Sequence, residues 1–401
     1  MSASVTATQA PASAVPIDHS RLGSLQHSAG GAGIAPIQTR SERFSSYAVS
    51  DFESVAQTDA EWKYTPLAKV RSLTTEPLDG SIYDVTTVLE GTASVDWVSR
   101  DDARIGTAGI PEDRAAANAW STFDKALVVT ISGDDARATV TRTELGSGAR
   151  AAHTVIHAKA NSRGTVILGN HGSAVLSENL EIVLEADADL TVVSLQEWAD
   201  DALHLASHFA KLGRASKLKY VSVSLGGDVV RVNPSITLAG ERADAEVYGV
   251  YFVDAGQHIE HQVFVNHAAA NTVSHVTYKG ALQGEGAHSV WIGDVLIGRE
   301  GTGTDSYEQN RNLLLTEGAR ADSVPNLEIE TGDIKGAGHA SASGRFDDEQ
   351  LFYLQARGIP EDEARRLVVR GFLGEVVQKI GIPDIENHLD EAIEAELAVN
   401  A

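Results

Sequence analysis

Glu185-Ala186-Asp187-Ala188-Asp189, Gly213-Arg214-Ala215-Ser216, Gly240-Glu241-Arg242-Ala243-Asp244 and His267-Ala268-Ala269-Ala270-Asn271 are four versions of one turn phrase. Their alanines stand at positions 188, 215, 243 and 270, a nearly constant step, and Gly318-Ala319-Arg320-Ala321-Asp322 is a fifth version downstream. Between the phrases run β-branched stretches such as Leu127-Val128-Val129-Thr130-Ile131, Thr165-Val166-Ile167-Leu168, Leu190-Thr191-Val192-Val193, Tyr220-Val221-Ser222-Val223 and His261-Gln262-Val263-Phe264-Val265. Short β-favouring runs between small-residue corners at a steady period are the mark of a solenoid, in which each coil buries its inner face only by stacking on its neighbours. The period predicts a right-handed parallel β-helix over 126–343, with strands about 4.8 Å apart from coil to coil. The competing arrangement is a β-sandwich of regular hairpins. Against it stands the scarcity of the Asn-Gly and Asp-Gly turns that hairpins prefer.

The flanks read differently, so the fold class is mainly β, a β-helix core between a small N-terminal α/β region and a C-terminal helical domain. Residues 1–39 are rich in Ala, Ser, Gly and Pro without apolar period, the composition of a disordered tail. In 40–125, Phe44, Tyr47, Phe52, Trp62, Tyr64 and Leu67 supply anchors, Gly91 to Trp97 reads as a strand, and Pro111 is placed to open an Ala-rich helix through Phe123. In 344–401 the period becomes helical. Asp347 with Gln350 resembles a capping box, Gly358 stops that helix, and Pro360 opens another carrying Leu367, Val368, Phe372, Val376 and Ile380. Gly381 and Pro383 end it, and a last acidic helix carries Leu389, Ile393 and Leu397.

Composition removes several functions. Thirty-two Lys and Arg against 56 Asp and Glu leave a net charge of −24, which repels phosphate backbones and anionic lipid surfaces. No nucleic-acid or membrane partner is expected, and the lack of a basic, apolar leader predicts a cytoplasmic protein. The chain has no cysteine, so disulfides, thiolate zinc sites, a cysteine nucleophile and a self-contained thiolate-bound iron–sulfur cluster are excluded. Neither a phosphate-binding G-x-x-x-x-G-K-[ST] loop nor a dinucleotide fingerprint, nucleophile elbow or H-E-x-x-H helix is present.

Histidine is the one suggestive residue type. His258 and His261, three apart, fall on opposite faces of a strand and read as surface or corner residues. His204 and His208 would share a helix face as zinc ligands, but the repeat makes this region another coil. His339 sits in the small-residue run Gly336-Ala337-Gly338-His339-Ala340-Ser341-Ala342-Ser343-Gly344, where an open backbone leaves an imidazole accessible to a metal or partner. The acidic pairs Asp200/Asp201 and Asp347/Asp348 allow a second reading, a cytoplasmic β-helical carbohydrate-active enzyme, on fold analogy alone.

Two longer motifs carry a resemblance. Gly344-Arg345-Phe346-Asp347-Asp348-Glu349-Gln350-Leu351-Phe352-Tyr353-Leu354, continued by Arg357-Gly358-Ile359-Pro360, resembles the C-terminal segment of the SufB/SufD family of iron–sulfur cluster assembly proteins. Glu61-Trp62-Lys63-Tyr64-Thr65-Pro66-Leu67 resembles that family's N-terminal signature. The missing cysteine sides with the SufD branch. The resemblance implies a scaffold subunit, not an enzyme, that pairs its β-helix with SufB and docks the ATPase SufC through its helical domain, with self-pairing into a homodimer when SufB is absent. It implies no tightly bound cofactor, and a transient iron–sulfur cluster at the SufB interface. Lys335-Gly336-Ala337-Gly338-His339 matches the family's Lys-Cys-Ser-His stretch with one residue more and no cysteine, so His339 takes the histidine's place as interface residue and metal ligand. Phe352, Tyr353, Arg357, Leu367 and Phe372 are the expected ATPase-docking residues, divided with the domain's own core in proportions the sequence leaves open.

Overall fold

The computed structural model describes residues 40, 43–75, 77–346 and 348–398; the tail expected over 1–39 and the Asp347 cap lie outside them. After helix α1 (Leu67–Thr75), strands β1 (Thr86–Glu90) and β2 (Ala93–Ser99), and helix α2 (Arg114–Thr122), the chain winds as a right-handed parallel β-solenoid of about eight coils. Each coil gives one strand to each of two sheets. The pairs are β3 (Lys125–Ile131) and β4 (Ala136–Arg142), β5 (Ala149–Ala158) and β6 (Arg163–Gly172), β7 (Val175–Leu184) and β8 (Asp189–Trp198), and β9 (Leu203–Leu212) and β10 (Lys217–Ser224). They continue with β11 (Val229–Leu238) and β12 (Asp244–Val253), β13 (His258–His267) and β14 (Val273–Leu282), β15 (His288–Ile297) and β16 (Thr304–Leu314), and β17 (Arg320–Ile329) and β18 (Ile334–Arg345). The odd-numbered strands from β3 onward form one sheet and the even-numbered strands from β4 the other, each pairing in parallel with the strand one coil away. Among the described residues, no helix is long and apolar enough to cross a membrane.

One corner of each coil explains the turn phrases. Asp135, Asn161, Asp187, Ala215, Arg242 and Asn271 hold φ between 54° and 63°, and Gly303 continues the column at 70°. In this left-handed conformation the backbone N–H turns along the solenoid axis and bonds the next coil, Asp187 to the Arg214 carbonyl at 2.9 Å and Ala215 to that of Glu241 at 2.9 Å. The following residue points inward and is always small: Ala136, Ser162, Ala188, Ser216, Ala243, Thr272 and Thr304 are all buried. The four alanines of the repeat thus mark the corner without sharing one position in it. The fifth phrase lies on the opposite corner, and its Arg320 to Asp322 already belong to β17.

Alternate residues of each strand fill one apolar interior, including Leu127, Ile156, Ile182, Val192, Val247, Val263 and Trp291. At the N-terminal end β1 pairs antiparallel with β4 and β2 with β3, so the two strands cover both sheet edges while Val85, Val95 and Trp97 pack against the core. At the other end β17 and β18 are edge strands.

The two outer faces are covered by different chemistry. On the odd-strand sheet, the N-terminal region is tied down by charge. Arg231 donates to Asp113 at 2.8 Å and to the Glu61 carbonyl at 2.9 Å, lies 4.1 Å from the Trp62 ring centroid, and reaches Glu260, which also accepts from Thr65 at 2.8 Å. The Glu61-to-Leu67 motif is therefore the segment that docks on Arg231 and Glu260. Asp113, not Pro111, caps α2, its carboxylate accepting from the Ala116 N–H at 2.9 Å.

On the even-strand sheet, helices α4 (Glu361–Val377) and α5 (Pro383–Ala398), which follow α3 (Asp348–Gln355), pack Val369, Leu373, Val376, Leu389 and Ile393 onto Val193, Val221, Val223 and Val250. Pro360 is the residue before α4, not its first. The buried stripe keeps Val376 and Ile380 of the one read in the sequence, with Phe372 half-buried, but its first turns run through Ala364, Val369 and Leu373, leaving Leu367 outside.

Two inward glycines hold the core's tightest contacts. A methyl group at Gly280 would meet the Tyr251 ring at 1.8 Å and one at Gly249 the Tyr278 ring at 2.0 Å. Gly280→Ala should therefore cost about 1–3 kcal/mol through overpacking, read as a lower urea midpoint at unchanged slope, and pairing it with Tyr251→Leu should restore part of the loss.

Candidate functional site

The last two coils bring together what the sequence separates. β16 pairs with β18 in a register that sets His339 beside Glu308, and Ser341 and Ser343 beside Asn310 and Asn312. All of these alternate residues lie on the inner side of the wall, at the open end. His339 is therefore part of the β-helix wall. It stands in an edge strand with 43% of its side chain exposed, its Nδ1 3.9 Å from Glu308 Oε1.

Glu308 is the unusual partner. Its side chain is 1% exposed and neither carboxylate oxygen has a hydrogen-bond partner among the described residues. The space for it exists because residue 293 is glycine: a Cβ there would lie 2.5 Å from Glu308 Oε2 and 2.2 Å from the Trp291 ring. The Trp291 indole N–H is likewise unpaired. Burial, reinforced by the charge of Asp294, pushes the Glu308 carboxyl up to about 8. A buried carboxyl raised above its ordinary range thus lies beside a half-exposed imidazole at the end of the solenoid. Below it Asn310 and Asn312 are satisfied by one another, by the Tyr251 hydroxyl, by Ser323 and by Ser343 at 3.1 Å. Glu308 and the Trp291 N–H thus stay unsatisfied beside a layer of paired amides and hydroxyls.

The other histidines separate by face. His204 and His208 share the inner face of β9, but His204 bonds Glu178 at 2.8 Å and His208 the Tyr220 hydroxyl at 2.6 Å, so they do not converge on a metal. Glu178 is also held by both Arg142 guanidinium nitrogens, at 2.8 and 3.1 Å. His261 points inward between the Tyr251 and Tyr278 rings, where burial lowers it to about 3, and His258 points outward. Neither is a surface residue. Asp201 accepts from Ser173 and Asp200 from Gln257 at 3.2 Å, cross-coil ties at a corner.

The residues expected to dock an ATPase divide sharply. Phe352 is 71%, Tyr353 56% and Leu367 44% exposed, and the Arg357 guanidinium lies 4.5 Å from the Tyr353 ring centroid. Phe372 is different: it is half-buried against the even-strand sheet, with Lys279 Nζ 4.7 Å from its ring centroid and bonded to its carbonyl at 3.1 Å. It belongs to the helical core. Sequence reading missed Glu308, whose partner lies a full coil further along the chain. The signal was the repeat itself, had its period been followed into the longer last coils.

A two-sheet parallel solenoid closed at one end and open at the other, with a polar pair at the opening, defines a β-solenoid scaffold, a class that works through its surfaces. The family profile described as SUF system FeS cluster assembly, SufBD core domain, matches residues 116–372. An iron–sulfur cluster assembly SufBD family protein of Mycobacterium tuberculosis is 46% identical over 378 residues, 92% of this chain and 95% of that protein. One of Mycobacterium leprae is 47% identical over 369 residues, 89% of this chain and 94% of that protein. A second, longer M. leprae protein of the same description is 29% identical over 201 residues, half of this chain and 23% of that one. The chain belongs to the SufBD family of iron–sulfur cluster assembly proteins and is a scaffold protein of that process.

The pair has a measurable signature. Because the folded value of Glu308 lies above its ordinary 4.5, the folded protein keeps a proton that the unfolded chain loses between 4.5 and about 8. This group therefore makes stability fall as pH rises through that window, with the cost fully present above about 8. Glu308→Gln should flatten that slope and stabilise the protein at alkaline pH, measured as urea midpoints of both proteins at about pH 5 and about pH 9.

Proposed function

We propose that this chain is the SufD-type subunit of a cytoplasmic cluster-assembly complex, pairing end to end with a SufB-type paralogue and carrying the ATPase SufC on its C-terminal helices. The observation that carries the reading is the open last coil. β17 and β18 present unpaired edges, the half-exposed Leu314, Ala321, Leu327, Ile334 and Ala337 lie at that end of the core, and the Glu308–His339 pair sits in its mouth. A partner strand added there satisfies the edge and buries that apolar rim. His339 would then face the junction as a neutral imidazole ligand or proton acceptor for iron or sulfide, the transient cluster's remaining ligands coming from the partner, since this chain has no cysteine. Self-pairing through the same edges would give a homodimer when the paralogue is absent.

The exposed Phe352, Tyr353 and Leu367, with Arg357, form the patch assigned to the ATPase. That partner would supply the nucleotide chemistry for which this chain has no phosphate-binding loop.

Anaerobic co-purification of the tagged chain from its own cells, with iron and sulfide assayed, tests each part. An ATPase and a longer paralogue should accompany the wild type. His339→Ala should keep both partners but lose most of the iron and sulfide. Phe352→Asp with Leu367→Asp should lose the ATPase and keep the paralogue. A chain recovered alone overturns the complex, and unchanged iron and sulfide in His339→Ala overturns the role of the imidazole.

A further inference from the structure

On the outer face of the odd-strand sheet, well away from the inner-wall pair, β13 and β15 place His258 beside His288 in register. The two Nδ1 atoms are 3.1 Å apart, the ring centroids 4.9 Å apart and the ring planes 67° to each other. Both Nε2 atoms point away from this contact onto carboxylates: His258 to Glu260 at 3.0 Å and His288 to Asp322 at 2.7 Å.

The protonation logic is restrictive. Glu260 accepts from the Thr65 hydroxyl at 2.8 Å and from Arg231 at 3.3 Å as well as facing His258, and Asp322 takes the Arg320 guanidinium as well as facing His288. Two acceptor carboxylates call for two Nε2–H donors. Each ring, if neutral, then has a bare Nδ1 lone pair, and the two lone pairs face each other at 3.1 Å. A cation between the rings, a shared proton or a metal ion, relieves that contact.

We propose that His258 and His288 form a binding site for one divalent first-row transition-metal ion, held by the two Nδ1 atoms and completed by water or an incoming ligand. Tetrahedral coordination at the usual zinc–imidazole distance places two ligand nitrogens roughly 3.3 Å apart, close to the 3.1 Å found. The carboxylate on the far nitrogen of each ring is the arrangement that fixes the tautomer and raises the basicity of metal-binding histidines. The flanking charges, Glu260, Asp322 and Asp113 against Arg231 and Arg320, sum to −1 and favour a cation. His288 keeps 21% of its side chain exposed, which gives an ion a route in. No third metal-binding side chain completes the set among the described residues, so the site is open and exchangeable rather than structural. The inference does not rest on the SufD-type reading, because it uses neither His339 nor any partner.

The test is a Co²⁺ titration of the full chain after chelator treatment, followed by visible d–d absorption. One equivalent of four- or five-coordinate Co²⁺ is expected, lost in His258→Ala and in His288→Ala, and weakened about 10- to 100-fold in Asp322→Asn. Competition by Zn²⁺, and by Fe²⁺ under anaerobic conditions, then tells which ion the site prefers. Because His258 is buried, the half-exposed His288→Ala and the wild-type titration stand without it. Absence of Co²⁺ absorption in the wild type, or absorption unchanged in His288→Ala, overturns the proposal. A shared imidazole–imidazolium proton resonance that survives excess Co²⁺ overturns it in favour of a proton bridge.

Discussion

Every coil of this protein depends on the backbone ladder to the coils before and after it. A strand in a two-sheet solenoid has no hairpin partner, so its N–H and C=O groups are satisfied only by residues one coil away in each direction. The corner column from Asp135 to Gly303 is the local expression of that demand, since a left-handed residue turns one more N–H into the ladder while the chain changes sheets. The ladder fixes register but not coil length. Between β5 and β7 it sets Ala149 against Val175, whereas between β15 and β17 it sets His288 against Arg320, a longer step along the chain. Extra residues go to the corners, except in β18, where Lys335 is inserted between the partners of Thr304 and Asp305 and shifts the register.

That constraint decides where function resides. A ladder must end, and its two ends are treated differently. β1 and β2 run antiparallel onto the first coil and cover both edges. Among the described residues nothing comparable covers β17 and β18, whose residues are half-buried or exposed. The two side walls are already occupied, one by the ionic and hydrogen-bonded anchors Arg231, Glu260 and Glu181, the other by the apolar stripes of α4 and α5. Glu181 accepts three backbone N–H groups from Gly106, Thr107 and Ala108, so it pins a loop onto the wall. What the walls leave free is the open end and the exposed patch of α3 and α4.

Period and turn chemistry made the solenoid legible, because a corner that needs a small residue and a left-handed residue writes both into the sequence once per coil. The motif at Glu61 to Leu67 was legible as a resemblance, but its physical reason, docking on Arg231 and Glu260 several coils further along the chain, was not. The same limit hid both histidine sites. Glu308 meets His339 and His258 meets His288 across a coil boundary, while residue patterns in a sequence are read over windows of one strand or one helix. His258 and His261 were placed on opposite faces from strand geometry alone, yet their burial followed from the N-terminal cover on one side and the closed interior on the other. The face of α4 was read correctly at Val376 and missed at Leu367 for a related reason: Leu367 and Val369 are both good core residues, and only the helix's rotation against the sheet selects the second.

The unsatisfied carboxyl at residue 308 fits the energetics of a solenoid better than it would fit those of a globular core. In a single-core domain a buried, unpaired acid weakens the whole cooperative unit. In a stack where each coil contacts only its neighbours, the cost is confined to the last one or two coils, and the rest of the ladder is indifferent to it. The buried carboxyl therefore lies where its destabilisation is local and where an added strand would offset it by removing an exposed edge. Its surroundings divide: Asn310, Asn312, Ser323 and Ser343 bond one another, while the Trp291 ring beside Gly293 belongs to the apolar interior. The buried carboxyl and the half-exposed His339 thus lie at the end whose edge strands are uncovered among the described residues.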